Sequence, residues 1–205
     1  MQPTARDVAL FRYIGQRGLS NTQAIHQQFW AGRKIQTCQD RLAQLVKGGY
    51  LHTAMTDARG KAEQIYWLGR KAEHLFAAAE RASFVKGRPA QAEIGHVLTM
   101  GDVLEKLKQR YRVTDVTTER ALKGEHKRGL STVLADGRMR LDGVEYLLEI
   151  DSPHYTGQRL RKKVAGFGKA GKPTLWVVAS QARLRTVSRA TAGQANIQVV
   201  QVNKL

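Results

Sequence analysis

Apolar positions in the first part of the chain recur at a helical period and then give way to alternation. Val8, Leu10, Phe11 and Ile14 share one face of a helix predicted over residues 4–17, with Thr4 placed to cap it after Pro3 and Gly18 to end it. Ser20 is placed to cap a short second helix that runs through Phe29 and Trp30. A third is predicted over 33–47, with Ile35, Cys38, Leu42, Leu45 and Val46 inward and Gly48-Gly49 as its stop. Two β-type segments follow, 50–55 and 64–68, joined by the charged, turn-rich Thr56-Asp57-Ala58-Arg59-Gly60-Lys61. An alanine-rich helix over 69–82 is expected to pack on this unit or to support a homodimer.

Lys86-Gly87-Arg88-Pro89-Ala90 contains two helix breakers and is read as the boundary between domains 1–85 and 86–205. Beyond it a helical stripe of Ile94, Val97, Leu98, Val103, Leu104 and Leu107 spans 92–111. Strands are predicted over 112–118, 131–135 and 144–151, a helix over 158–169, a buried-type strand over 174–179, a helix over 183–192 and a last strand over 197–202. Helix, three strands, helix, strand, helix, strand describes an α/β domain with a mixed sheet, a hairpin on one side and parallel crossovers on the other.

Three helices followed by a basic-tipped hairpin form the winged helix-turn-helix pattern, whose third helix usually enters the DNA major groove. Its outward positions include Arg33, Lys34, Gln36, Thr37, Gln39 and Arg41, types that hold phosphate or read base edges, while Arg59 and Lys61 could hold the backbone from the hairpin. Phe29, Trp30 and Trp67 read as core. Charge points the same way: 34 Lys and Arg against 17 Asp and Glu give +17 over 205 residues. The excess is in both parts, 12 basic against 6 acidic up to residue 85 and 22 against 11 beyond it. The expected partner is therefore double-stranded DNA.

A single cysteine, Cys38, cannot form an internal disulfide, and no apolar run reaches the roughly 18 residues that span a bilayer. Met1-Gln2-Pro3-Thr4 carries no signal pattern, so a cytoplasmic protein with no membrane partner is expected. No zinc-type His/Cys spacing and no phosphate-loop glycine pattern occurs, which argues against an ATP-driven enzyme.

Candidate chemistry lies in the second domain. Along 144–151 alternation puts Leu147, Glu149 and Asp151 on one face, and Asp136 lies opposite across the hairpin, with Asp142-Gly143 as its turn. Carboxylates this crowded need a basic partner or a hard divalent cation such as Mg²⁺ or Mn²⁺. His154 and Tyr155 follow the strand directly, within reach as base or nucleophile.

The element order, with Ala135-Asp136-Gly137 and then Glu149-Ile150-Asp151, resembles the PD-(D/E)xK restriction-endonuclease-like fold. More narrowly, the chain resembles the replication-relaxation family and the related MobC-type plasmid mobilisation proteins. The resemblance rests on a winged helix in front, Gly95-His96-Val97-Leu98, a strand ending in Thr118-Glu119, the two acidic elements and a following basic helix. It implies that Asp136 and Glu149 would bind a catalytic Mg²⁺ or Mn²⁺ with Glu119 in support. The nuclease pattern expects lysine where this sequence has Asp151; Lys162 or Lys163 from the next helix could supply it, and Arg159 and Arg161 would grip phosphate beside Lys162. The implied role is a DNA-binding protein of plasmid or mobile-element mobilisation or replication, acting at an origin or operator site with relaxosome or replication proteins. An active metal-dependent endonuclease or relaxase, and a transcriptional regulator with an inactive nuclease-like domain, are the alternatives.

Overall fold

Thr4 and Asp7 begin the first helix with a capping box: the Thr4 hydroxyl accepts the Asp7 amide and the Asp7 carboxylate accepts the Thr4 amide. The structure, a computed structural model, describes residues 2–85, 87–88, 90–119, 122–123, 133–151 and 155–204. It divides into two units, Met1–Asp102 and Val103–Leu205.

In the first unit, α1 (Ala5–Arg17), β1 (Ser20–Asn21), α2 (Thr22–Phe29) and α3 (Ile35–Lys47) precede a hairpin of β2 (Leu51–Thr56) and β3 (Glu63–Leu68). The three strands form an antiparallel sheet in the order β1-β3-β2. Leu10, Phe11, Ile14, Ile25, Cys38, Leu42 and Leu45 close one core against Leu51, Tyr66 and Leu68, as their period requires. Trp30 and Trp67 are buried, and burial pushes the Cys38 thiol up to about 11. Ile35 departs from expectation: as the first residue of α3 it precedes the packed turns and is 41% exposed.

Two further expectations change. Ser20 pairs with Tyr66 in the sheet, so the cap of α2 passes to Asn21, whose side chain accepts the Ala24 amide. The helix expected over 69–82 is split into α4 (Arg70–Glu73) and α5 (Ala78–Ala82). The break turns Phe76 inward against Phe84, with ring centroids 5.0 Å apart and both rings buried. Phe84 fills the space over Gly15, where a Cβ would lie 2.7 Å from its ring. The division between units falls inside α6 (Gln91–Arg110) rather than at 86–90, because Ile94 and Leu98 cluster with Leu19, Ile65 and Trp67.

The second unit carries β4 (Val113–Thr118), β5 (Gly137–Leu141), β6 (Val144–Ile150), α7 (Gly157–Ala170), β7 (Thr174–Val178), α8 (Gln181–Ala190) and β8 (Ile197–Gln201). Its sheet runs β4-β5-β6-β7-β8, antiparallel through β6 and parallel from β6 onward, so the chain is of the α/β class with a mixed sheet. The middle strand lies at 137–141 and not at 131–135; 133–135 is not strand, and 131–132 fall outside the described residues. The reason is the turn. Asp142 (φ 49°) and Gly143 (φ 87°) both adopt the positive φ of a two-residue hairpin loop, which places the partner strand immediately before them. Leu160, Val164 and Phe167 of α7 and Val187 of α8 share a core with Leu147, Trp176 and Val178, so both crossover helices cover the same sheet face. No helix among the described residues is long and apolar enough to cross a membrane.

Candidate functional site

Alternation along β6 turns Leu147, Glu149 and Asp151 toward the layer of α7 and α8. The hairpin pairs Gly137 with Leu148, which sets Asp136, at the entry to β5, against the end of β6 that carries Glu149. Asp136 Oδ2 accepts the Ile150 amide at 2.7 Å, and both carboxylates are buried. Glu119, just beyond β4, pairs with Lys123 at 2.8 Å and has an oxygen within 4.8 Å of one on Asp136.

Lys163 completes the cluster. The stripe of Leu160, Val164 and Phe167 that seats α7 on the sheet fixes the helix rotation, and Lys163, beside Val164, is carried inward by it. Its Nζ lies 2.5 Å from Glu149 Oε1 and donates to the Tyr155 hydroxyl at 2.8 Å, standing 4.6 Å from the centre of that ring. Glu149 Oε2 is buried and accepts no hydrogen bond among the described residues. Burial drives the Glu149 carboxyl well above the usual carboxylate range; the Asp136 charge adds to this, and Lys163 opposes it without cancelling it. Burial alone would lower Lys163, but the surrounding carboxylates outweigh it and hold the ammonium charged. Burial also raises the Tyr155 phenol, against the pull of its bond from Lys163.

Asp151, which stands where the nuclease pattern expects lysine, is engaged elsewhere. Arg183 of α8 donates to both its oxygens, at 2.6 and 2.8 Å, and the Trp176 indole N–H donates at 3.4 Å. Sequence reasoning did not identify Arg183; its place two residues into α8, at the end of the neighbouring parallel strand, was the available signal. His154 lies outside the described residues. Arg159, Arg161 and Lys162 are exposed on α7.

The buried Glu149 oxygen that lacks a hydrogen bond, with Asp136 close enough to act on its charge, and the Glu119 oxygen within 4.8 Å of one on Asp136 are carboxylate donors of the kind that fits a hard divalent cation. Of the two adjacent lysines on α7, Lys163 is the one in contact with Glu149, and Lys162 is exposed.

In the first unit, Arg33, Lys34, Gln36, Thr37 and Lys61 are exposed. Lys34 caps α3 without a side-chain hydrogen bond, and the first turn of α3 holds no acidic residue, so the positive end of the helix faces solvent between two cations. Gln36, Gln39, Asp40, Lys47, Gln64 and Tyr66 line a shallow cavity of about 450 Å³ between α3 and the hairpin. Arg41 and Arg59 behave differently from their neighbours. Arg41 forms an ion pair with the buried Asp7 of α1 at 2.5 Å, and Arg59 bonds Glu63 at 2.7 Å and Asp102 at 2.5 Å. Both guanidiniums serve the internal structure of the unit.

Among known proteins, the family described as replication-relaxation matches residues 11–170, well over half of the chain. No curated protein and no solved structure matches it.

Proposed function

The chain belongs to the replication-relaxation family, and from that premise we propose that it binds duplex DNA during the replication or mobilisation of a plasmid or other mobile element. The first unit acts as a winged helix-turn-helix, with the N-terminal turn of α3 in the major groove. Arg33 and Lys34 meet phosphate, Gln36 and Thr37 face base edges, and Lys61 reaches the backbone from the hairpin. The order of helices, the β1-β3-β2 sheet and the exposure of these residues support this reading.

The second unit is read as a restriction-endonuclease-like domain acting on the DNA that the first unit holds. Contact between Lys163 and Glu149, opposite Asp136, carries this reading: a strand carboxylate with a lysine beside it and an aspartate across the hairpin is the arrangement that phosphodiester hydrolysis needs. Asp136 and Glu149, supported by Glu119, would hold Mg²⁺ or Mn²⁺, which when bound polarises the phosphate and lowers the pKa of water. Lys163 would offset negative charge building on the phosphate. Tyr155 positions Lys163 through its hydroxyl and ring.

Supercoiled plasmid incubated with the protein and Mg²⁺ or Mn²⁺ tests this. The wild type is expected to nick, and Glu149→Gln and Lys163→Met to lose nicking by roughly two orders of magnitude or more while retaining duplex binding. Tight binding without nicking under either metal would leave the DNA-binding role standing and remove the catalytic one.

A further inference from the structure

Asp151 is the last acidic residue in the chain, while residues 152–205 contain ten lysines and arginines. Lys163 and Arg183 are consumed by the internal pairs with Glu149 and Asp151, and Lys172 pairs with Glu145 at 2.8 Å. Six others, Arg159, Arg161, Lys162 and Lys169 on α7 with Arg185 and Arg189 on α8, are exposed. None of the six forms an ion pair or side-chain hydrogen bond among the described residues. Some surface cations elsewhere have acidic partners, as in Arg12–Glu80, Lys108–Glu105 and Lys123–Glu119.

An ordinary solvated helix mixes both signs along its exposed face. These two helices do not. Neither contains an aspartate or glutamate, and they lie side by side over one core, so their charges form a single-sign layer and not two separate stripes. Arg159, Lys162 and Lys169 follow one another along α7 at helical spacing, and Arg185 and Arg189 are one turn apart on α8. Thr156 gives α7 no side-chain cap, and its first turn is free of acids, which adds the positive end of the helix beside Arg159. Like charges so placed repel one another, and a polyanion laid across them relieves that repulsion.

We propose that the outer face of the α7–α8 layer is a second DNA surface, one that grips the phosphate backbone without reading sequence and borders the Lys163–Glu149 cluster. The proposal rests on the reading that the chain engages duplex DNA, and it extends the contact from the groove-reading helix of the first unit to two helices of the second.

Salt dependence isolates such a surface, because each neutralised phosphate contributes about 0.9 to the slope of log K against log salt. Full-length protein would be titrated onto a fluorescent random-sequence duplex over a salt series. Lys169→Gln/Arg185→Gln/Arg189→Gln is expected to bind several-fold more weakly at low salt, with a slope shallower by about 1 to 3. A charge-matched control, Arg12→Gln/Lys108→Gln/Lys172→Gln, loses the same net charge from paired positions and is expected to shift the slope by less than about 1. Equal slopes for the wild type and the first variant would overturn the proposal and leave the DNA-binding reading intact, as would equal losses in both triple variants. No binding of any duplex by the wild type would overturn both.

Discussion

Glu149 is the residue on which the second unit's chemistry turns, and its environment has a measurable consequence. A carboxyl raised by burial keeps its proton in the folded state at pH values where the unfolded chain has lost it. The folded state then binds more protons, so stability falls as pH rises from the ordinary glutamate value of 4.5. Glu149→Gln removes that dependence. Urea unfolding at a series of pH values is expected to show the wild type losing stability relative to this variant by more than about 1 kcal/mol between acid and neutral pH. Parallel curves would mean that Glu149 titrates normally. At this scale the sequence was informative where alternation decides: it put Glu149 and Asp151 on one face and Asp136 opposite. It was silent on partner choice. Lys163 and Lys162 are equivalent in spacing arguments, and only the rotation of α7 that buries Val164 selects Lys163. The capture of Asp151 by Arg183 depends on two parallel strands meeting, which no local pattern encodes.

Among the elements, α1 and α3 are fastened by Asp7, which caps its own helix and holds Arg41 of the helix proposed to read DNA. Burial would push the Asp7 carboxyl up, but its bonds from Arg41 and Thr4 outweigh this and hold it below its ordinary value of 3.8. Its contribution is therefore complete above that value and is lost as pH falls through the lowered one. Asp7→Ala is expected to cost about 2 kcal/mol near neutral pH, from the lost cap and the broken pair, with the gap to the wild type closing in acid. Chemical denaturation at neutral and acid pH checks both parts; an undiminished gap in acid would contradict the ion-pair account. Helices α1 and α3 were legible because their burial has a strong period, whereas the 69–82 segment was not. Its alanines favour one helix, but pairing Phe76 with Phe84 over Gly15 wins the competition. The 137–141 strand was hidden by two arginines at its alternate positions, Arg138 and Arg140, although Met139 between them and Leu141 after them are buried.

At the scale of the whole molecule, +17 is not spread evenly in its effect. Arg41, Arg59, Lys163 and Arg183 are committed to internal carboxylates, whereas Arg33 and Lys34 at the start of α3 and six cations on α7 and α8 stay exposed. Other exposed cations, among them Arg6, Lys47, Lys61, Arg70 and Arg88, lie outside these two places. Composition revealed the excess but could not say which charges are available, because that depends on which carboxylates folding brings within reach. The account stands or falls on duplex binding through the first turn of α3. The most direct measurement is a hydroxyl-radical footprint of the full chain on duplexes that it enriches from a random pool. A short protected tract is expected, and Arg33→Ala/Lys34→Ala should require about tenfold or more additional protein to produce it. Failure to enrich any duplex, or the same tract protected at the same concentration by the double variant, would contradict it.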